Sequence, residues 1–323
     1  MYMPKVSIII PVFNGSDYLK QSIDSALSQT YSNIEIIVVN DGSNDDGASE
    51  KIALDYKGKI RYFAKENGGV SSALNYGIKQ MDGEWFSWLS HDDIYKPNKI
   101  AEQIEYLNKV IISQTENSAN KSISNIVLYC DTEFINSKGE VILRLKPIAK
   151  EFESTKEIIL KNIKNNRLGG CSFLINKSAF LDMGGFNERI RTVSDYDYWY
   201  RLLLNGYKFY YVPKTLVQGR MHKKQVTYKL SDLGYKELNE FHTWLLKQLE
   251  RKPEYDYKVF LKIGFYARQR GYVESSRFAL KIARHKKNNL LCGIEIAIGR
   301  LYCEVYRNIR KVLKSIFVEI YIK

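Results

Sequence analysis

The sequence predicts an α/β fold, with a mostly parallel mixed sheet between helices and a helical C-terminal extension. Two observations predict it. Over the first hundred residues, a short β-branched run, a polar turn and a helical pattern follow one another four times. From residue 231 onwards the pattern is helical throughout. We therefore expect an α/β domain at residues 1–228 and a basic helical region at 229–323.

Four apolar runs predict the parallel strands of the sheet. They lie at 6–12, 34–40, 60–64 and 84–89. Strands that are apolar on both faces are typical of a sheet covered by helices on both sides. In such sheets, ligands bind beyond the carboxyl ends of the strands. A site is therefore expected at the turns that follow the strands, which are PVFN (11–14), NDGS (40–43), ENGGVS (66–71) and SHDD (90–93).

The remaining elements are predicted by the same periodicities. Strands are expected at 126–135, 171–176 and 207–212, a helix at 194–204, and a polar surface loop at 113–125. Pro213 is expected to begin the exit from the α/β domain. Beyond it, helices are expected at 231–252, 257–269 and 273–286, the last two joined as a helical hairpin.

The last segment predicts a basic amphipathic helix. Its apolar stripe comprises Ile294, Ile298, Leu301, Val305, Ile309, Val312, Ile316 and Ile320, and Arg300, Arg307, Lys311 and Lys314 fall outside it. No run in the sequence approaches the roughly 18 apolar residues that span a bilayer. The pattern alone leaves two roles open, packing on the helix's own domain or lying on a membrane surface.

The charge is distributed unevenly along the chain. There are 49 Lys and Arg against 36 Asp and Glu, a net charge of +13. Residues 1–220 hold 27 basic and 26 acidic side chains, whereas residues 221–323 hold 22 and 10. This excess predicts an anionic partner for the helical region, either membrane lipid or nucleic acid. Because it coincides with an amphipathic helix, we expect an anionic membrane surface and no nucleic acid.

The number and spacing of the cysteines indicate the redox compartment of the protein. Four of them, Cys130, Cys171, Cys292 and Cys303, are widely spaced and include no C-x-x-C pair. Such usage indicates buried thiols in a reduced, cytoplasmic protein.

The strand ends carry carboxylates rather than a glycine-rich nucleotide loop. Neither G-x-G-x-x-G nor G-x-x-x-x-G-K-[ST] is present in the sequence. Asp41 follows the second strand, where a lone D-G-S is more often a simple turn. His91, Asp92 and Asp93 follow the apolar WFSWL, and three ionisable groups there are costly to desolvate without a counterion. This arrangement favours a divalent cation held by one or two carboxylates.

Two further segments carry candidate chemistry. In SDYDYWYRL, Asp197 and Arg201 are spaced i, i+4 and are expected to form an ion pair. Asp195 lies about 200° round the helix from Asp197, so it is left to act as a base. His222 in GRMHKKQVT is one of four histidines, and a lone histidine is more often structural than a ligand.

Taken in order, these segments resemble the family 2 glycosyltransferases, which are inverting enzymes of the GT-A fold, a Rossmann-like arrangement. The resemblance covers residues 4–228. Each motif alone is weak, whereas the ordered set is highly specific. The motifs are PVFN, NDGS, ENGGVSSALNYGI, WLSHDDIYKP, GGFNE followed by SDYDYWYRL, and GRMHKKQVT.

The resemblance implies a nucleotide-sugar site and a role for each segment. Asp195 matches the family's general base, and Asp92 would hold Mg²⁺ or Mn²⁺ on the donor diphosphate, with Asp93 and His222 as further candidate ligands. Asp41 would accept the N3–H of uracil or thymine, and His91 would lie near the ribose. The implied donor-binding residues are Pro11, Val12, Phe13, Asn14, Asp41, Asn75, His91 and Asp92.

Three positions depart from the family's pattern. Ser90 stands where relatives often have the first aspartate of D-x-D, Leu74 where many have arginine, and Ser194 where a glutamate commonly precedes the base. A donor contact made by arginine in those relatives is therefore expected to be missing at position 74.

The resemblance implies transfer of a sugar from a UDP-linked donor to a glycan or lipid-linked acceptor in bacterial-type surface polysaccharide synthesis. The enzyme would lie peripherally on the inner face of the plasma membrane. The alternative is a non-catalytic GT-A-like binding module at the membrane, which sugar transfer would exclude. A nucleic-acid binder would instead show salt-sensitive binding, and a sugar nucleotidyltransferase would need a glycine-rich loop after the first strand.

Overall fold

The computed structural model describes residues 2–115, 123–145, 153–165, 168–225 and 230–321. The chain forms two compact units. The α/β unit comprises Met1–Glu153 and Leu168–Met221, and the helical unit comprises Ser154–Arg167 and His222–Lys323. The division therefore falls at 221 rather than at the expected 228, and a segment from within the α/β sequence belongs to the helical unit.

Nine strands form one mixed sheet within the described residues. They are β1 (Val6–Val12), β2 (Ile34–Asn40), β3 (Arg61–Ala64), β4 (Trp85–Trp88), β5 (Ile94–Tyr95), β6 (Ile126–Ile135), β7 (Val141–Arg144), β8 (Leu174–Asn176) and β9 (Lys208–Arg220). Their order is β3-β2-β1-β4-β8-β6-β9-β5, and β7 pairs with β6. The first four strands are parallel to one another, as predicted, and β8 runs antiparallel to β4 and β6.

The helices follow the predicted pattern with two additions. They are α1 (Leu19–Leu27), α2 (Ala48–Leu54), α3 (Val70–Gln80), α4 (Lys99–Thr115), α5 (Thr155–Asn165), α6 (Ser178–Met183), α7 (Ser194–Leu204), α8 (Ser231–Glu250), α9 (Tyr257–Gln269), α10 (Val273–Lys286) and α11 (Leu290–Tyr321). The sequence reading missed α5 and α6. The loop expected at 113–125 overlaps the end of α4, and most of it lies outside the described residues.

The core of the α/β unit forms because the first strands bury both faces. All seven residues of β1 are buried. Helix α3 lies close to this strand, since a Cβ at Gly77 would come 2.5 Å from the Cγ2 of Ile9. Helix α3 begins after β3, at the carboxyl edge of the parallel strands, and this close packing holds it against the sheet.

Strand β9 extends well past its predicted end. The sequence reading stopped the strand at 212 and treated Pro213 as the exit from the domain. Instead, β9 runs beside β6 to Arg220, and the register shifts where Val212 and Thr215 flank Pro213. Proline lacks a backbone N–H and is tolerated at such a bulge. The longer strand carries Arg220 to the same edge of the sheet as the predicted site.

The helical unit is built on close contacts between helices. A Cβ at Gly264 in α9 would lie 2.7 Å from the Cδ2 of Leu280 in α10, and Gly271 turns the chain between them at φ +91°. This confirms the predicted helical hairpin. Helix α5 packs against α9 and buries Ile158, Ile159 and Ile163. Within the described ranges, no helix combines the length and hydropathy required to cross a bilayer.

Candidate functional site

The turns after β1 and β2 are joined directly, as expected for neighbouring parallel strands. The backbone N–H of Asn14 donates to Ser43 Oγ at 2.9 Å, and its side-chain amide donates to Asn44 Oδ1 at 2.6 Å. Asn44 returns a backbone N–H to Asn14 Oδ1 at 2.8 Å. Pro11 and Val12 are buried in β1, whereas Phe13 is 44% exposed at this edge. An apolar ring therefore lies open to a ligand beside the two turns.

Asp41 lies at the end of β2 and organises the loop after β3. Its side chain is buried, and its carboxylate accepts the backbone N–H groups of Gly68 and Gly69, the latter at 2.7 Å. Lys65 Nζ donates to the same carboxylate at 2.8 Å. The side-chain amide of Asn67 donates to the Asp41 carbonyl at 2.8 Å. Asp41 thus forms an ion pair and holds the loop after β3, which a simple turn aspartate would not do.

Asn75 in α3 holds the GGFNE segment in place. Its side-chain oxygen accepts the N–H of Phe186 at 2.8 Å, and its Nδ2 donates to the Phe186 carbonyl at 2.9 Å. The same Nδ2 lies 2.8 Å from Glu188 Oε1. A Cβ at Gly185 would come 2.2 Å from Asn75 Oδ1, so the segment needs glycine there. The structure gives Asn75 a structural contact, and its role in donor binding stays a prediction.

His91 lies against the turn after β1. A Cβ at Gly15 would come 2.4 Å from His91 Cδ2 and 2.6 Å from Val12 Cγ2. The preceding residue is tied to the same region, because Ser22 Oγ in α1 donates to the Ser90 carbonyl at 3.0 Å. The SHDD turn and the PVFN turn are therefore in contact, and Asp41 follows the strand beside them.

Arg220 supplies a positive charge beneath the SHDD turn. Its Nε donates to the Asp92 carbonyl at 2.9 Å, and its backbone N–H donates to Asp93 Oδ1 at 2.9 Å. The guanidinium also donates to Gln21 Oε1 at 2.7 Å and lies 4.3 Å from the ring centre of Tyr18. The cost of burying the two carboxylates is therefore offset partly by a side chain that sequence reasoning did not single out.

Both carboxylate oxygens of Asp93 have a hydrogen-bond partner. One accepts the Arg220 N–H, and the other lies 3.1 Å from the Cys171 thiol. Burial, together with the neighbouring charge of Asp92, raises the pKa of Asp93 to about 7. Cys171 also accepts the Ser90 N–H at 3.2 Å. These contacts fit a role in holding the turn, and the candidate role of Asp93 as a metal ligand stays a prediction.

Asp195 lies in the first turn of α7, which aromatic packing fixes in place. Tyr198 and Trp199 are fully buried, and Trp199 stacks on Phe173 with ring centres 4.0 Å apart. One Asp195 oxygen accepts the N–H of Tyr196 at 2.9 Å. Desolvation by the surrounding protein raises the pKa of Asp195 to about 7. A carboxyl group with a pKa near the working pH is suited to general base chemistry.

The predicted ion pair on α7 is confirmed. Arg201 Nε donates to Asp197 Oδ2 at 2.9 Å. The guanidinium also donates to the carbonyls of Met183 and Gly185, at 2.6 and 2.7 Å. Asp197 and Arg201 therefore fix the GGFNE segment, which leaves Asp195 as the carboxylate of this helix available for chemistry.

Arg191 is a second cation that the sequence reading missed. It lies just before α7, and its Nη1 donates to the Gly68 carbonyl at 2.8 Å. Gly69 has φ +89°, and a Cβ there would come 2.6 Å from Arg191 Nη1. A guanidinium thus lies over the loop whose backbone N–H groups bind Asp41. At position 74, where many relatives have arginine, this chain has a buried leucine. The only sequence signal for Arg191 was a basic residue between the two motifs GGFNE and SDYDYWYRL.

His222 follows β9 and belongs to the helical unit. Its backbone N–H lies 3.4 Å from Gln225 Oε1, and its candidate role as a metal ligand stays a prediction. In the part of the chain that the structure describes, no three His, Cys, Asp or Glu side chains are grouped closely enough to hold a metal by themselves. The four cysteines are free and buried, as predicted.

Comparison with known proteins identifies the family. The model of "Glycosyl transferase family 2" matches residues 7–117. An uncharacterized glycosyltransferase of Rickettsia typhi is 39% identical over 95% of this chain and 98% of its own length. The chain belongs to glycosyl transferase family 2. Another family member, an uncharacterized glycosyltransferase of Rickettsia felis, is 46% identical over 72% of this chain, but that match spans only 36% of the relative.

Solved structures confirm the fold of this family 2 glycosyltransferase. S. aureus TarS residues 1–349 in complex with UDP-GlcNAc match with a TM-score of 0.57 at 14% identity, over 91% of this chain and 79% of that one. The complex of the same protein with UDP matches with a TM-score of 0.54 at 14% identity, over 95% and 91%. The predicted GT-A fold with C-terminal helices is therefore confirmed.

Proposed function

We propose that this family 2 glycosyltransferase moves a sugar, with inversion, from a UDP-sugar to a glycan or lipid-linked acceptor in bacterial-type surface polysaccharide synthesis. The observation that carries the proposal is the convergence of Asp41 and the SHDD turn on one edge of the sheet. The UDP and UDP-GlcNAc complexes of TarS support a uridine nucleotide. The enzyme is of the hexosyltransferase class.

The donor site is proposed at the contact between the PVFN, NDGS and SHDD turns. Phe13 offers an exposed apolar face to a base, and Asp41 offers a buried carboxylate to a base N–H. Asn14 ties the first two turns, and His91 of the third turn lies against Gly15. Pro11 and Val12 form the floor of this site, Asp92 its diphosphate end, and Asn75 its neighbour on α3.

Asp195 is proposed as the general base. It would accept the proton of the acceptor hydroxyl as that oxygen attacks the anomeric carbon and the nucleoside diphosphate leaves. Its pKa of about 7 keeps it largely ionised at slightly alkaline pH and basic enough to take a proton. No covalent nucleophile is needed, because inversion takes place in a single displacement.

Asp92 is the proposed ligand of Mg²⁺ or Mn²⁺. One carboxylate fits such an ion, because Mg²⁺ is usually held by one or two carboxylates plus the phosphates of its substrate. Arg220 holds the Asp92 backbone, because its Nε donates to the Asp92 carbonyl at 2.9 Å. When bound, the ion would neutralise the charge that develops on the leaving diphosphate. Asp93 and His222 are secondary candidates.

The partner of the helical region is proposed to be an anionic membrane surface, with no nucleic acid involved. The enzyme would then be cytoplasmic and peripheral on the inner face of the plasma membrane. The excess of 22 basic over 10 acidic residues in 221–323 supports this partner. It would also hold the enzyme at the surface that carries a lipid-linked acceptor.

Replacing Asp195 tests the proposed reaction. We expect Asp195→Asn to lower kcat by about 10²- to 10⁴-fold while UDP binding is unchanged, because a general base acts on the acceptor. Turnover of UDP-sugars with a divalent ion and the Kd for UDP, by calorimetry, are the measurements. In wild-type enzyme, the acid limb of kcat/KM against pH should have a midpoint near pH 7, because kcat/KM reports the pKa of the free enzyme.

The control is Asp197→Asn, which removes a carboxylate from the same helix. It should keep measurable turnover, because its partner is Arg201 and not substrate. Undiminished turnover by Asp195→Asn would contradict the base assignment. Wild-type protein that binds UDP without turning over any donor would favour the non-catalytic module, and activity unaffected by EDTA would contradict the metal.

A further inference from the structure

Helix α11 is attached to the helical unit by a face of two cysteines, a glycine and an isoleucine. Cys292 and Cys303 are fully buried, and Ile296 is 7% exposed. Between them, a Cβ at Gly299 would come 2.1 Å from Cζ of Phe265 on α9. The helix therefore lies close to α9 along the line 292, 296, 299 and 303, a spacing of one helix face.

The large apolar residues of α11 lie on a different face. We call this surface the outer face of α11. It comprises Leu290, Leu291, Ile294, Ile298, Leu301, Tyr302, Val305, Tyr306 and Ile309, all of them exposed. Leu290 is 80%, Leu301 71% and Ile298 66% exposed. One charged side chain, the exposed Glu295, lies among them near the Tyr306 border. A large exposed apolar surface marks an interaction site.

The sequence reading left open whether the apolar stripe of this helix packs on its own domain. The structure answers the question for residues 290–309. The predicted stripe residues Ile294, Ile298, Leu301, Val305 and Ile309 all belong to the outer face, and the packed face is formed by residues outside that stripe. The stripe is therefore unused by the fold in this part of the helix.

The width of the outer face favours a surface over a second helix. At 100° per residue, its nine side chains span roughly 160° of the helix. A coiled-coil seam uses only the narrower a and d positions. Tyr302 and Tyr306 stack at one border, with ring centres 6.4 Å apart. Tyrosine at the border of an apolar face suits the polar boundary of a membrane.

The charge of the surrounding region identifies the kind of lipid. Residues 221–323 carry 22 basic and 10 acidic side chains, an excess that attracts anionic headgroups. On α11 itself, Arg300 lies roughly 80° from the near border of the outer face. Arg307 lies roughly 100° from it and pairs with Glu304 at 2.6 Å. Apolar burial and charge attraction together are what interfacial helices use.

We propose that the outer face of α11 lies in the interface of an anionic lipid membrane. The proposal rests on the membrane partner of the proposed function and assigns it to residues 290–309. Apolar side chains of the outer face enter the acyl boundary, while the face formed by 292, 296, 299 and 303 stays packed on α9. No folding change is needed, because the outer face is already exposed.

Vesicle co-sedimentation of the full chain tests the proposal. Wild-type protein should bind vesicles of equal parts phosphatidylglycerol and phosphatidylcholine, and bind pure phosphatidylcholine at least about tenfold more weakly. The double variant Leu301→Asp/Val305→Asp should lose about tenfold or more of its affinity for the anionic vesicles, because two buried apolar groups are replaced by charges. Circular dichroism checks that both proteins are folded.

The control is Leu181→Asp, which places one aspartate at an 80% exposed leucine on α6. It should bind the anionic vesicles like wild type. Equal binding by wild type and the double variant would overturn the proposal, as would absence of wild-type binding. A wild-type oligomer in light scattering that the double variant dissociates would assign the face to a second copy instead. Vesicle binding is measured without donor, so loss of sugar transfer alone contradicts only the proposed function.

Discussion

At the scale of single residues, the site depends on ionisable groups that the fold surrounds with protein. Asp195 and Asp93 both have a pKa raised to about 7 by burial, yet their contacts differ. Asp93 is held by Arg220 and Cys171, whereas Asp195 accepts the backbone N–H of Tyr196 in its own helix. The geometry thus separates a carboxyl that holds a turn from one suited to accept a proton.

The raised pKa of Asp195 predicts a stability change with a definite sign. Between the unfolded value of 3.8 and the folded value of about 7, the folded protein holds a proton that the unfolded chain has released. The contribution of Asp195 to the free energy of unfolding therefore falls as pH rises through this window. Asp195→Asn removes that loss. The free energy of unfolding of the variant, relative to that of wild type, should therefore rise by about 2 kcal/mol between pH 5 and pH 7.

Urea denaturation at several pH values measures this advantage. The control is Asp55→Asn, at an exposed position after α2, for which the difference from wild type should stay flat over the same range. A constant difference for Asp195→Asn would show that Asp195 is as well solvated in the folded protein as in the unfolded chain.

Arg220 shows what sequence reasoning could not supply at this scale. The cost of placing His91, Asp92 and Asp93 after a buried strand can be read from the sequence, and it favoured a divalent cation there. The sequence did not indicate Arg220, because this residue meets the turn from a strand more than a hundred residues away and also contacts Gln21. Long-range partners of a buried arginine leave no periodic signal in the chain.

At the scale of elements, the turns of the candidate site come together because backbone and side chains approach closely. Gly15 is the clearest case, since it allows the His91 ring to lie against the turn between β1 and α1. The strands β1, β2 and β6 and the helix α7 were predicted with their observed bounds, because each has an uninterrupted period. Strand β9 was cut short at Pro213, where a bulge accommodates the proline, and α5 was missed in a stretch without motifs.

Filling the space at Gly15 should damage the proposed donor site. We expect Gly15→Ala to raise the KM for the donor about tenfold and to destabilise the protein by about 1–3 kcal/mol, because the new methyl group would displace His91 or Val12. Steady-state kinetics and thermal unfolding measure the two effects.

Gly169→Ala is the matched control for this substitution. Its φ of −76° suits alanine, and a Cβ there would meet nothing within 4 Å. It should leave both quantities close to wild type. Normal donor KM in Gly15→Ala would mean that the contact between His91 and this turn is unimportant for the donor.

At the scale of the whole molecule, the two units are interleaved along the chain. Residues 154–167 leave the α/β unit, form α5 in the helical unit, and the chain then returns at Leu168. Arg270 reinforces this attachment, since its Nη1 donates to the Lys164 carbonyl at 3.2 Å. The sequence analysis placed the whole helical region after residue 228, because the composition of the chain changes there. Helix α5 is too short to change the composition around it.

Cutting the chain after Met221 should therefore fail to give a stable α/β unit. The truncated protein keeps α5 but loses α9, and exposing Ile158, Ile159 and Ile163 costs on the order of 5 kcal/mol. We expect low soluble yield and increased binding of a hydrophobic dye. A chain ending at Asn289 is the control, because it keeps α9 and loses only α11. Equal yield and dye binding for the two truncations would contradict the role given to α5.

The insertion of α5 also has a consequence for synthesis on the ribosome. Helix α5 emerges roughly a hundred residues before α9, which at a synthesis rate of about 5–20 residues per second is a delay of about 5–20 seconds. During that interval three isoleucines lack the helix that covers them, while the sheet still awaits β8 and β9. The nascent chain thus passes through a period in which both units are incomplete, and chaperone contact is expected to concentrate on residues 155–165.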